Sequence, residues 1–202
     1  MAGRLWRNSA GLILACSRNC RYGNISERCK TLDKSAVVTV SPLTFQTMPH
    51  RSEDFEILFV KRSVEAKFMG DSHVFPGGVL DEADYSPQWF DLFSTPSGYS
   101  VNSLVQWFPK TKRLPIYDTF PVNGIPGEVA MRICAIRETF EESGVLLARN
   151  MVDVEKFPKA GGRTGTVRPC VKCMSDKELS HWSDSVHENT ENFLKLCRYV
   201  SI

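Results

Sequence analysis

Residues Glu128 to about Leu147 constrain the fold most, because their apolar positions recur at helical spacing more clearly than anywhere else in the chain. On a wheel of about 100° per residue, Val129, Ile133, Ile136 and Phe140 share one stripe about 60° wide. Pro126 and Gly127 precede the pattern and Gly144 interrupts its end, as helix boundaries do. Such a helix must bury its stripe against other elements. Its far side carries Glu138, Glu141 and Glu142 within an arc of about 100°. Three like charges this close repel, and within a turn only Arg137 is available to pair with them. Either the face is simply solvated, or oxygen ligands at i, i+3 and i+4 share a hard divalent cation.

Upstream, Val37, Val38, Thr39 and Val40 form a β-branched run stopped by Ser41-Pro42, which predicts a first strand. Phe55 to Val60 predicts a second, followed by a polar segment to His73 and then a glycine turn at Gly77-Gly78. Two adjacent glycines let backbone approach a ligand closely. Between Tyr85 and Gly127 lie Pro87, Pro96, Pro109, Pro115, Pro121 and Pro126 without a sustained period, so residues 85–127 are expected as an insertion. Trp89 and Trp107 within it either stack on a ligand or pin the loop to the core. Met151 to Val171 reads as loop. Ser175-Asp176-Lys177-Glu178 then has capping-box form and opens a final helix with Leu179, Trp182, Val186, Phe193, Cys197 and Val200 on its apolar face.

Composition narrows the function classes. The chain has 202 residues, a formal charge of +2 and 42% hydrophobic residues, enough for one domain with a real core. That charge gives no field arguing for nucleic acid or an anionic membrane. The longest apolar run, Ala10 to Cys16, is too short to span a bilayer. Seven cysteines, an odd number, match a reducing compartment better than a disulfide framework. Before Glu27 there is no acid, whereas Arg4, Arg7, Arg18 and Arg21 are present; this is the profile of a transit peptide or of a plain basic tail. Cys170 and Cys173 make half a zinc site with no second pair at the usual spacing, since His181 and His187 lie five residues apart on the final helix. His73, beside the glycine turn, either touches substrate or caps a turn. The expected plan is a basic segment 1–33, a domain 34–148 with its insertion, and a loop with a C-terminal helix over 149–202.

Gly78, five residues, Asp84, and then Arg137-Glu138-Thr139-Phe140-Glu141-Glu142-Ser143-Gly144-Val145 resemble the box of the Nudix hydrolases, G-x5-E-x7-R-E-U-x-E-E-x-G-U. The second half agrees at every fixed position, with Thr139 in an apolar slot. Asp84 replaces the first glutamate, and 52 residues separate it from Arg137 where the pattern has 7. An insertion between glycine turn and helix can loop out without moving either. The split box, with His73-Val74-Phe75 before the turn and Arg132-Ile133-Cys134-Ala135-Ile136 before Arg137, is similar to a coenzyme A diphosphatase subgroup of the family. A second, coenzyme A-associated motif is matched in part by Leu58-Phe59-Val60-Lys61-Arg62-Ser63, Lys67, Gly70 and Phe75-Pro76-Gly77-Gly78.

The resemblance implies an α/β Nudix fold, an α/β/α sandwich around a mixed sheet. It implies hydrolysis of the diphosphate of coenzyme A or acyl-coenzyme A to 3′,5′-ADP and a 4′-phosphopantetheine derivative. Mg²⁺ or Mn²⁺ would be held by Glu138, Glu141 and Glu142, with the Gly77 carbonyl as a further ligand. Arg137 would orient the acidic cluster. Gly77, Gly78, Arg62 and Lys67 would meet the substrate, the two cations its phosphates, with solvated surface charges the alternative for Arg62 and Lys67. The family fold needs more strands after the box helix than residues 148–202 offer, so the sheet is expected to be incomplete at the C-terminus; the alternative functions are an inactive binding module or hydrolysis of another nucleoside diphosphate derivative. The resemblance implies a peroxisome, whereas the N-terminal arginines favour a mitochondrion and the C-terminal Val200-Ser201-Ile202 is not a peroxisomal signal. No oligomeric state follows.

Overall fold

The computed structural model describes residues 8–17, 55–66, 69–93, 123–147 and 174–200. Six short strands are present: β1 (Ser9–Gly11), β2 (Ala15–Ser17), β3 (Phe55–Ile57), β4 (Val60–Lys61), β5 (His73–Val74) and β6 (Gly77–Val79). They pair antiparallel as β1 with β6, β2 with β3, and β4 with β5. The parallel pairing that a mixed sheet requires is not found among the described residues. A 3-10 turn at Glu82–Tyr85 and four helices follow: α1 (Trp89–Phe93), α2 (Gly127–Ser143), α3 (Asp176–Glu188) and α4 (Glu191–Val200).

Residues 9–17 do not behave as a segment set apart from the domain. Flanking arginines give this stretch a leader's profile, but residues 9–11 and 15–17 lie in strands on either side of the apolar Leu12-Ile13-Leu14. Gly11 sits opposite Gly77, and Ala15 sits opposite Ile57. Strands β1 and β2 thus lie before residue 34, where the domain is expected to begin. The apolar run from Phe55 is also divided. β3 pairs with the N-terminal segment, Leu58 N–H donates to Leu14 O, and β4 then changes partner to β5.

The long helix forms where its periodicity places it. Glu128 in the first turn suits the positive end of the helix dipole. Gly144, in the left-handed region at φ 70°, ends it by donating from its N–H to Phe140 O, so α2 stops at Ser143 rather than at Leu147. Val129, Ile133 and Phe140 are buried in one cluster with Leu179 and Val186 of α3, Phe193, Leu194 and Leu196 of α4, and Trp89 of α1. Each fully buried side chain of this size contributes roughly 1.5–3 kcal/mol. Thr139, in the apolar slot of the box, is buried, and its hydroxyl donates to Ala135 O at 2.7 Å.

The single final helix expected from the sequence is two. Ser175 caps α3 reciprocally with Glu178, but at Asn189 the backbone becomes extended, and the Asn189 side chain accepts from Glu191 N–H to start α4. A residue whose side chain competes for backbone bonds ends one helix and opens the next. Ser183, wholly buried on α3, donates near the Phe140 and Glu141 carbonyls at 3.2 and 3.3 Å, which gives partners to the last turn of α2. Trp89 is a core residue: it packs on Phe93 and Phe193, and its indole N–H donates to Ala83 O. Of its two open readings, pinning is the one observed. The strand expected at Val37–Val40, the loop expected at Met151–Val171, Trp107, Lys67, Cys170 and Cys173 lie outside the described residues.

Candidate active site

The site is built where α2 lies against β6 and the 3-10 turn. Asp81 caps that turn by accepting from Ala83 N–H, while Asp84 Oδ2 accepts from Asp81 N–H, so the Asp84 carboxylate is held within its own turn. Arg137 then meets it with two parallel bonds, Nε to Oδ1 at 2.8 Å and a terminal nitrogen to Oδ2 at 2.9 Å. Its remaining donors go to Glu141 Oε1 at 2.6 Å, Glu138 Oε1 at 3.0 Å and Val79 O at 3.2 Å. The guanidinium is only 2% exposed. Burial opposes its charge, but the hydrogen bonds and fields of Asp84, Glu141 and Glu138 outweigh this and raise its pKa. A fork with carboxylates on its edges orients them and is itself held rigid. The aspartate at the glutamate position of the box thus keeps the pairing, because the turn carries the shorter side chain to the arginine.

Both glycines of the bend touch this acidic face. Gly77 N–H donates to Glu142 Oε2 at 3.1 Å. A Cβ on Gly78 would lie 2.5 Å from the Glu138 carboxylate oxygens, so only glycine leaves that carboxylate its place. Cys134, one turn before Arg137, is buried with its sulfur 3.7 Å from Gly78 O, and burial pushes its thiol up to about 12. Burial raises the pKa of Glu138 as well. Glu142 is pushed up to about 7, chiefly by burial and then by Glu138, against the Gly77 N–H and Arg62, which favour the anion. A buried carboxylate so shifted lacks enough positive charge around it.

Of the residues singled out in the sequence, Glu138, Glu142, Gly77, Gly78, Arg137 and Arg62 come together. Arg62 acts electrostatically on Glu142, and its Nε is buried without a hydrogen-bond partner. Its neighbour Lys61 is taken up by Asp71 at 2.7 Å. Glu141 differs from its two companions: its oxygens face Arg137 and His187 Nδ1, the latter at 3.5 Å. Among the described residues, no three His, Cys, Asp or Glu side chains converge closely enough to hold a metal by themselves. The donor set nevertheless fits a hard divalent cation, which takes oxygen ligands including carbonyls and keeps several waters. Glu138 and Glu142 both reach the bend, Glu142 at the Gly77 N–H and Glu138 over Gly78, in a cradle that a Cβ would fill.

Two contributors escape sequence reasoning. His187 is on the expected final helix, but nothing in its spacing points at Glu141. The pairing of β1 with β6 had a signal, the run Ala10 to Cys16, which the surrounding arginines obscure. His73 lies exposed in β5, opposite Lys61.

A family model described as the NUDT19 Nudix domain matches residues 6–202. Curated relatives carry the name acyl-coenzyme A diphosphatase NUDT19. The Gallus gallus protein is 37% identical over 148 residues, covering 72% of this chain and 38% of the relative. The Xenopus laevis protein is 35% identical over 157 residues, covering 76% and 40%. The Homo sapiens protein is 30% identical over 205 residues, covering 96% and 46%. The chain thus spans less than half the length of these relatives. No solved structure matches it significantly.

Proposed function

This chain belongs to the NUDT19 Nudix domain family, and from that premise we propose that it hydrolyses the diphosphate bond of coenzyme A and acyl-coenzyme A. Water attacks one phosphorus, the bridging P–O bond breaks, and the products are 3′,5′-ADP and 4′-phosphopantetheine or its acyl derivative. The relatives' name supports the substrate class. The observation that carries the reading is the close approach of Glu138 and Glu142 to the Gly77-Gly78 bend.

In this proposal Glu138, Glu142 and the Gly77 carbonyl would hold Mg²⁺ or Mn²⁺, with Glu141 as a further ligand. A divalent ion bound there supplies charge neutralisation for the diphosphate and activates water for attack. Arg137 touches no substrate; it keeps Glu138 and Glu141 in register through bonds anchored on Asp84. Gly77 N–H donates to one Glu142 oxygen and so orients the carboxylate that would help to hold the ion. Burial raises the Glu142 pKa to about 7 in the metal-free chain, and a bound cation would favour its anion. Arg62, with a donor unspent beside Glu142, is the cation that receives a substrate phosphate, with Lys67 as its companion by motif.

The test is incubation of the purified chain with Mg²⁺ and either coenzyme A or ADP-ribose, beside Glu142→Gln. Release of 3′,5′-ADP from coenzyme A, reduced by more than about 100-fold in the variant, is the expected result. A folded wild type that binds coenzyme A without cleaving it defeats the proposal in favour of a binding module. Preference for ADP-ribose points to another nucleoside diphosphate derivative. As to location, the proposal is a mitochondrion or a peroxisome, on the grounds given by the N-terminal arginines and by the resemblance respectively.

A further inference from the structure

We propose that residues 8–12 set the position of the Gly77-Gly78 bend, and that Gly11 is a positioning residue for the site. This rests on reading that bend as part of the hydrolytic centre. The bend is gripped from two sides. On one, α2 presents Glu142 to Gly77 N–H, the Glu138 carboxylate to Gly78 and Arg137 to Val79 O. On the other, β1 runs beside it in the register Ser9–Val79, Ala10–Gly78 and Gly11–Gly77. Two backbone bonds of 2.9 Å close the ends, Leu80 N–H to Asn8 O and Leu12 N–H to Pro76 O.

The separation of these two backbones is set by missing side chains. A Cβ on Gly11 would stand 3.1 Å from Pro76 O, and one on Gly77 would stand 2.5 Å from both Ala10 O and Gly11 Cα. Bulk at position 11 must therefore push the bend toward α2 or detach β1, and either motion changes how Gly77 faces Glu142. The same N-terminal segment continues through Leu14 and β2 onto β3, the strand just before Val60, Lys61 and Arg62. It thus ties the bend to the strand that leads to the substrate-facing cation. Removal of the chain through Gly11 would take away β1, the partner of β6.

Three measurements on the full chain test this. In wild type, hydrogen exchange of residues 8–12 and 76–80 should be slow and lost together on mild denaturation. In Gly11→Val, exchange at 76–80 should accelerate while 127–143 stays protected. Mn²⁺ affinity, read by electron paramagnetic resonance, should weaken, and kcat should fall about 100-fold as expected for a displacement near 1 Å, with KM for coenzyme A little changed. Gly11→Ala should lie between. Leu196→Val, a core change in α4, should lower the melting temperature yet keep wild-type Mn²⁺ affinity. If Gly11→Val does not fold, Gly11→Ala and the wild-type exchange pattern decide. Wild-type Mn²⁺ affinity and kcat in the folded Gly11 variants, or rapid exchange at 76–80 in wild type, overturns the proposal. A wild type with coupled exchange and Mn²⁺ binding but no coenzyme A cleavage instead defeats the hydrolase reading alone.

Discussion

A buried guanidinium is tolerated only when its donors find acceptors, and Arg137 finds Asp84, Glu138, Glu141 and Val79 O. Removing one partner leaves charge without compensation, so Asp84→Asn should lower unfolding free energy by about 3 kcal/mol in denaturant titrations. Unchanged stability would mean that the pair is not formed in solution. Gly78→Ala separates site from fold differently. Its Cβ meets the far end of the Glu138 side chain rather than backbone, so the variant should keep nearly wild-type melting behaviour while losing Mn²⁺ affinity and activity by about 10-fold or more. Glutamates at spacings of three and four were legible in the sequence as a metal-ready face. What spacing could not reveal is that the other Glu141 oxygen would face His187, because that depends on a helix arriving from more than 40 residues away.

At the scale of elements, the C-terminus of α2 has two devices, Gly144 in the left-handed region and the Ser183 hydroxyl from α3. Ser183→Ala removes a donor from buried carbonyls and should destabilise the protein by about 1 kcal/mol, measured as a shift in the urea midpoint. Faster exchange in 140–144 than elsewhere in α2 should accompany it. α2 itself was readable residue by residue, because one stripe of Val129, Ile133 and Phe140 fixes both its period and its buried side. The break at Asn189 and the division of Phe55–Val60 between two partners were not. Both arise where local preferences are weak and the bonding partner is distant in sequence, as Leu14 is for Leu58. Thr190 shows the same: its hydroxyl at the start of α4 donates to Asp81 Oδ1 at 2.7 Å, joining the chain's end to the cap of the turn that holds Asp84.

For the whole molecule, the site is a concentration of buried negative charge that folding assembles at a cost. Glu142 has a folded pKa of about 7 against an ordinary 4.5, so its proton binds more tightly in the folded state. That contribution to stability is full below about 4.5 and is lost as pH rises through about 7. The metal-free chain should therefore melt at a lower temperature at pH 8 than at pH 5.5 as far as this group governs. Saturating Mg²⁺ or Mn²⁺ should reverse the loss at pH 8 by about 2.7 kcal/mol at a hundred times the dissociation constant, and Glu142→Gln should abolish both effects. An increase in melting temperature from pH 5.5 to 8 without metal would contradict the shift. The sequence by itself determined the chemistry: a box helix with its arginine and three glutamates, a diglycine bend, and a family whose pattern tolerates a long insertion between them. Tertiary structure alone decided which carboxylates face the bend, that Asp84 reaches Arg137 despite its shorter side chain, and that residues 9–17 pair with β6 and β3. Helix periodicity is written in neighbouring residues, whereas strand pairing and charge compensation depend on groups that become neighbours only when the chain folds.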